Sequence, residues 1–318
     1  MKFLITIDTE WDRHSLKDGE ITVENLSALP GFHAMCLEEG IRPCYLCAHE
    51  AALSPDFEAF GVKVLSGNEG EIGTHLHPWS TPPYVHDTET IRKRCPFPNE
   101  YPVDVFGEKL TSLKHELENR FGDQTTYRGG RFGFSTKQAP VLSRAGYTVD
   151  TSVTPYVSWV DTPGLSPNGG PDYTGYTEAP FVWESTKTNE RPLLEIPVTV
   201  LKRGSKAGAL LQKAGKPGRI IAGMLDYGVF WFRPLPESLD RLNLMVDRAE
   251  RKGFDVVNMM MHSNEFDHRC NPYYTTEEAV STLLSTLKDL FRHINRKKIV
   301  SVTPREYYEF FMQHREPQ

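Results

Sequence analysis

The chain has 318 residues, 25% charged and 39% hydrophobic, with a formal net charge of −6. That mix supplies a full apolar core and excludes the disordered and collagen-like classes, and its acidic balance gives no footprint for a phosphate backbone, so nucleic acid is not an expected partner. No stretch has the apolar length of a membrane span, the amino terminus is too poor in apolar residues for a signal peptide, and five cysteines fit reduced thiols better than a disulfide framework, so a cytoplasmic location is expected.

Short β-branched runs then alternate with longer helical patterns. The periodicity predicts a strand from Phe3 to Asp8, a helix from Glu24 to Glu39 and a strand from Arg42 to Ala48. Cys44 and Cys47 fall inside that last run and read as buried strand thiols rather than a redox pair, which belongs at a helix start. A strand follows from Glu71 to His77, then helices from Val103 to Arg120 and Thr136 to Ala145, and a strand from Tyr147 to Thr151. The last third predicts a strand from Leu193 to Leu201, a helix from Pro236 to Arg251, a strand from Asp255 to His262, a helix from Thr276 to Arg292 and a strand from Lys298 to Val302. Repeated β-then-α units imply a mostly parallel sheet, either closed into a barrel or open and doubly wound, in one domain covering residues 1–318. Two irregular stretches, Pro78 to Pro102 and Pro155 to Pro192, carry more aromatic residues than an idle linker and are expected to act as lids or substrate walls.

In such folds ligands bind beyond the carboxyl ends of the strands, so polar residues there come first. Asp8 and Glu10 are two apart, which puts both carboxylates on one side of a continuing strand. Two acids on one face call for a cation: one would ligate a metal while the other takes a proton from an attacking water. His75 and His77 project the same way for the same reason and suit a metal site closed by a carboxylate. Glu71, at the start of that strand, is expected to face solvent. The turn Tyr127 to Gly133 carries Arg128 and Arg131, whose guanidinium groups would steady carboxylates, and glycines that allow close backbone approach. His262 ends an apolar strand, where a general acid would stand to protonate a leaving amine.

Taken in order, these blocks resemble the polysaccharide deacetylase family, also called the NodB homology or carbohydrate esterase family four group, from Met1 to about Arg269. The resemblance implies a distorted (β/α)7-type barrel with long loops. It assigns Asp8 as base, Glu10 as ligand, Arg128 as the partner of Asp8, and His262 as acid. The histidine block departs from the family pattern: His75 and His77 are two apart where the family has four, with Trp79 at the usual second position, so the third ligand is either His77 or His86. By the same resemblance Asp150 and Trp159 shape the substrate groove and Met260 is the wall for an acetyl methyl group; Trp79 and Arg131, the latter an extra beside the family's motif, are further candidate substrate-binding residues. The implied activity is metal-assisted hydrolysis of an N-acetyl or N-formyl group on an amino sugar or glycan intermediate of surface polysaccharide or lipopolysaccharide synthesis. Backbone N–H groups near the Arg128 turn would face the oxyanion. Zinc is the expected ion, with cobalt, nickel and manganese also used by relatives. A cyclic-amide hydrolase of allantoinase type and an inactive glycan-binding relative are the other readings. Oligomeric state is not legible.

Overall fold

Residues 1–13, 21–85, 88–189, 191–203, 228–236 and 238–314 are described by a computed structural model. The core strands form where apolar and β-branched residues run together: β1 (Lys2–Thr9), β2 (Cys44–Cys47), β3 (Glu71–Leu76) and β4 (Thr126–Gly129) are buried almost throughout. Between them lie α1 (Leu29–Glu38), a single turn α2 (His49–Ala52), α3 (Pro55–Ser66), α4 (Thr88–Arg94) and α5 (Val103–Phe121). Helix α5 buries Phe106, Leu110, Leu113, Leu117 and Phe121, the three-and-four spacing that lays one stripe on a sheet. After α6 (Ala139–Arg144) and β5 (Val149–Asp150) come β6 (Phe181–Val182), β7 (Leu194–Glu195), β8 (Val200–Arg203) and β9 (Gly228–Trp231). The chain ends with α7 (Leu242–Arg251), β10 (Val256–His262), α8 (Glu277–Arg296), β11 (Val300–Ser301) and α9 (Pro304–His314). Thr276 caps α8 by accepting from the Ala279 N–H, and Ser54 caps α3 through Phe57.

The main sheet runs β10-β1-β2-β3-β4-β5-β7-β6, with β11 also on β1; every pairing is parallel except β6 with β7. Beyond β7 the circle closes through single hydrogen bonds rather than a ladder. Thr199 N donates to Asn258 O (3.0 Å) and Met260 N to Phe232 O (3.3 Å), which joins β10 to the far side. The result is a curled, parallel-dominated barrel, one of the two arrangements that the alternating pattern allowed and the one that the resemblance implied. Because β1, β3, β4 and β10 are parallel, their carboxyl ends share one rim, and Asp8 lies in register with His262 and His75 with Arg128.

Several predicted elements are longer than the observed ones. The helix expected from Glu24 begins with a 3-10 turn, Glu24–Ala28, before α1, and the strand expected from Leu193 to Leu201 is split into β7 and β8 around Pro197. Part of each supposedly irregular stretch is ordered: α4 lies within the first and β6 within the second. Glu71 corrects the expectation of a solvent-facing acid. It is buried, with its carboxylate accepting from Thr126 Oγ1 (2.5 Å) and the Arg305 amide (3.0 Å), so α9 locks down the start of β3. No helix among the described residues is long and apolar enough to cross a membrane.

Candidate active site

Beyond the strand ends, a cavity of about 590 Å³ is lined by Asp8, Glu10, His75, His77 and His262 together with Trp11, Trp79 and Phe132. At its floor, His77 Nε2 lies 3.1 Å from Glu10 Oε2 and 2.9 Å from His75 Nε2, and His75 Nε2 lies 3.9 Å from the same glutamate oxygen. Among the described residues this trio is the cluster whose donor atoms could hold a metal ion. The hydrogen bonding of His75 fits that use. Its Nδ1–H donates to the Arg128 carbonyl (3.1 Å), so the neutral ring turns a lone pair on Nε2 inward. Burial pushes the His75 imidazole down to about 4, which keeps it neutral near pH 7. Two imidazole nitrogens at 2.9 Å with a carboxylate oxygen at 3.1 Å repel unless a proton or a cation sits among them. Separations near 3 Å are those of ligand atoms about 2.0–2.2 Å from one shared ion. His77 Nδ1 is buried with no partner among the described residues, so none of them dictates which ring nitrogen carries the proton.

Asp8 and His262 flank this trio. Asp8 Oδ2 lies 3.8 Å from His75 Nε2 and 3.9 Å from His262 Nε2, while His262 Nε2 is 3.7 Å from Glu10 Oε1. The other Asp8 oxygen accepts from Arg128 Nη1 (2.5 Å), and the rest of that guanidinium is held by Thr6 Oγ1 (2.8 Å) and by the Thr151 carbonyl (2.9 Å) and hydroxyl (3.1 Å). Burial alone would raise both carboxyls. Arg128, then His75 and His262, instead hold Asp8 below its ordinary value, and His262, His77 and His75 hold Glu10 at about 2.

His262 has a second set of neighbours on the side away from Asp8 and Glu10. Its Nδ1 lies 2.9 Å from Arg233 Nη2 and 3.1 Å from Glu265 Oε1, and Arg233 and Glu265 pair at 2.6 Å. A neutral ring accepts at Nδ1 from Arg233, leaving its proton on Nε2 toward Asp8 and Glu10; a charged ring donates from Nδ1 to Glu265. Both protonation states therefore find a partner without moving the ring.

The other predicted residues are placed as follows. Trp79 lines the cavity, edge-on to Trp11 (4.5 Å between centroids), which itself abuts His77 at 4.5 Å. Arg131 also lines it. Trp159 does not; it stacks on Phe132 (5.7 Å) and bonds Thr154, so it supports the wall from behind. Asp150 and Met260 require correction, since neither is part of the lining. Asp150 is fully buried, with Ser152 Oγ donating to it (2.6 Å). Met260 precedes His262 by two residues, roughly 6.6 Å deeper along its strand, and is packed wholly within the core. The apolar wall falls instead to Phe132 and Trp11. One amide near the Arg128 turn is already engaged, since Gly129 N donates to Ser152 Oγ (2.9 Å). Gly130 must lack a side chain, because a Cβ there would lie 2.4 Å from His77 Nδ1. His86 lies outside the described residues. Trp11 and the Arg233–Glu265 pair are the neighbours that sequence reasoning missed; Glu265 alone had a signal, three residues beyond His262.

No family model and no curated protein matches the sequence. Solved structures do match along the whole chain. A protein from Mycobacterium smegmatis assigned as a polysaccharide deacetylase aligns at TM-score 0.55 and 12% identity over 100% of this chain and 93% of its own. One from Parabacteroides distasonis, assigned as a glycoside hydrolase/deacetylase, aligns at 0.59 and 13% over 99% and 72%. The 4-alpha-glucanotransferase from Thermococcus litoralis aligns at 0.54 and 12% over 100% of this chain and 41% of that longer protein. At these identities the likeness is one of fold, and the fold is shared by deacetylases and a glucanotransferase alike, so function must be argued from the site.

Proposed function

We propose that the chain is a metal-dependent hydrolase that removes an N-acyl group, acetyl or formyl, from an amino sugar or glycan intermediate, in surface polysaccharide or lipopolysaccharide metabolism. The observation that carries this reading is the convergence of Glu10, His75 and His77 on one point, with a second carboxylate and a third imidazole within 4 Å on either side. A divalent ion held there by Glu10, His75 and His77, with zinc suited to two imidazoles and a carboxylate, would polarise the amide carbonyl and acidify water. The chain's own residues supply the proton transfers. Asp8, kept ionised by Arg128, accepts the proton of the attacking water. His262 in its charged form delivers the Nε2 proton to the departing amine, while its Nδ1–H stays on Glu265. Trp11, Trp79 and Phe132 offer apolar faces to a sugar ring and its acyl group.

The test joins metal analysis of the purified chain to an amine-release screen of N-acetyl and N-formyl amino sugars, free and nucleotide-linked. The expected result is about one divalent ion per chain, with Asp8→Asn and His262→Ala each lowering turnover by roughly 10²–10⁴-fold in protein that is still folded by circular dichroism. Full activity in either variant removes that residue from the mechanism. A chain without bound metal would point to an inactive glycan binder, and release from cyclic amides alone to the ring-opening alternative.

A further inference from the structure

Among the described residues, two of the arginines on the cavity wall have no carboxylate partner. Arg13 and Arg131 line the same space as Asp8, Glu10 and the histidines, and among the described residues no carboxylate lies within ion-pair distance of either. A third arginine on the wall, Arg269, is tied to Asp267 at 2.6 Å and so brings no free charge. Arg131 is held in place by neutral partners. Its guanidinium stacks on the Phe97 ring at 4.1 Å, and its Nη1 donates to the carbonyls of Cys95 and Pro163 (3.0 Å to the latter). The acid that acts on it, Glu100, is committed elsewhere, accepting from the amides of Phe97 (2.8 Å) and Ser166 (2.9 Å).

The backbone beneath Arg131 is unusual in the same sense. Arg131 and Phe132 are consecutive residues with side chains at φ 56° and 61°, a conformation that such residues rarely adopt. The turn follows Gly130, whose missing side chain lets His77 press against the backbone. Strained backbone, a stacked and anchored head group and an unpaired charge together describe a cation pre-positioned for a ligand. The two guanidinium groups share one cavity wall; burial lowers the pKa of Arg131, Cys95 and Glu100 oppose that, and the like charge of Arg13 adds to it. The carboxylates of the cavity are already engaged, Asp8 by Arg128 and Glu10 by the histidines. In a chain of net charge −6, two free cations beside the reacting centre run against the overall balance.

We propose that Arg13 and Arg131 form an anion subsite, so that the substrate is an acylated amino sugar bearing a phosphoryl or carboxylate group rather than a neutral glycan. The substrate assignment rests on the hydrolase reading above; the anion subsite itself does not.

Amine release is measured from three N-acetylated amino sugars that differ only in one substituent: a neutral methyl glycoside, the sugar 1-phosphate and a carboxylate-bearing ether. An anionic compound should exceed the neutral one at least tenfold in kcat/KM at low salt, and the advantage should shrink as salt is raised. Preference for the phosphate alone identifies a phosphoryl substrate, and preference for both identifies any anion. In the Arg13→Gln/Arg131→Gln variant the ratio should fall toward one; because this variant keeps the metal ligands, that fall separates the arginines from attraction by a bound ion. Equal kcat/KM for all three compounds in the wild type, or an undiminished ratio in the double variant, overturns the proposal. Calorimetric binding of the same compounds to Asp8→Asn supplies a readout apart from turnover. An arginine-dependent anion preference in binding, with no amine released from any compound by the wild type, keeps the subsite and rejects the hydrolase reading. Binding without preference rejects the subsite even where amine is released.

Discussion

Arg128 acts on Asp8 in one pair of buried carboxyls, Asp8 with Glu10, and on both members of another, and the pairs are held in opposite states. Asp8 and Glu10 face Arg128 and three imidazoles, and both stay ionised below their ordinary values despite complete burial. Asp150 and Glu195 are equally buried, but burial dominates there. It pushes Asp150 up to about 6 although Glu195 and Arg128 oppose it, and it pushes Glu195 well above the usual carboxylate range, where the neighbouring Asp150 adds to the rise and Arg128 compensates only in part. No donor among the described residues bonds Asp150 Oδ2 or Glu195 Oε2, and with Glu195 pushed well above the usual carboxylate range the pair keeps a proton near neutral pH. Its remaining oxygens organise backbone: Asp150 Oδ1 accepts from Ser152, and Glu195 Oε1 accepts from the Val153 amide (3.0 Å). The number of cations within reach thus separates an acid able to accept a proton at neutral pH from one that already holds it.

The change with the largest expected effect removes the group common to both pairs. Arg128→Met leaves Asp8 buried and unpaired and deprives Thr6 and Thr151 of their donor, so it should cost about 3–5 kcal/mol of stability, read from urea denaturation. A loss below about 1 kcal/mol would mean that Asp8 is not held ionised by this contact. The next test applies one isosteric change to each pair. Glu10→Gln should abolish stoichiometric metal and lower amine release by at least 10²-fold, because the amide cannot supply the anionic ligand. Glu195→Gln keeps a donor toward Asp150 and should change stability by no more than about 1 kcal/mol, with turnover within a few-fold of wild type. Equal losses from the two substitutions would break the distinction between the pairs.

How much of this was legible in the sequence follows the same line. The strand ends were, because the period of two and the parallel β-then-α order bring Asp8, His75, Arg128 and His262 to one rim before any coordinate is known. The turn at Gly130 was flagged as a place of close approach, and His77 lies there against the backbone. What failed was depth and distant partnership. Met260 and His262 share a strand face, but two residues along a strand are enough to separate core from cavity. Arg233 reaches His262 only because the β8–β9 hairpin returns beside β10, a closure made of isolated hydrogen bonds that leave no periodic signature. Glu71 looked like a solvated strand start, because its partner Arg305 lies 234 residues away on a helix, α9, that the pattern had not announced.

The smallest effect is also the cleanest mark of the difference, because the two pairs give stability opposite pH slopes. Asp8 and Glu10 have depressed values, so the native state binds fewer protons than the unfolded chain there. Their contribution is present above pH 4–5 and is lost as pH falls toward about 2. Asp150 and Glu195 have raised values, so the native state keeps a proton that the unfolded chain releases. Their contribution is complete below about pH 4 and declines as pH rises through about 6 and beyond. Urea midpoints measured from pH 4 to 7 should show this decline in wild type and a flatter profile in Glu195→Gln, whose amide cannot titrate. A profile unaltered by Glu195→Gln would show that the pair holds no extra proton, and the contrast with Asp8 and Glu10 would then reduce to one of position alone.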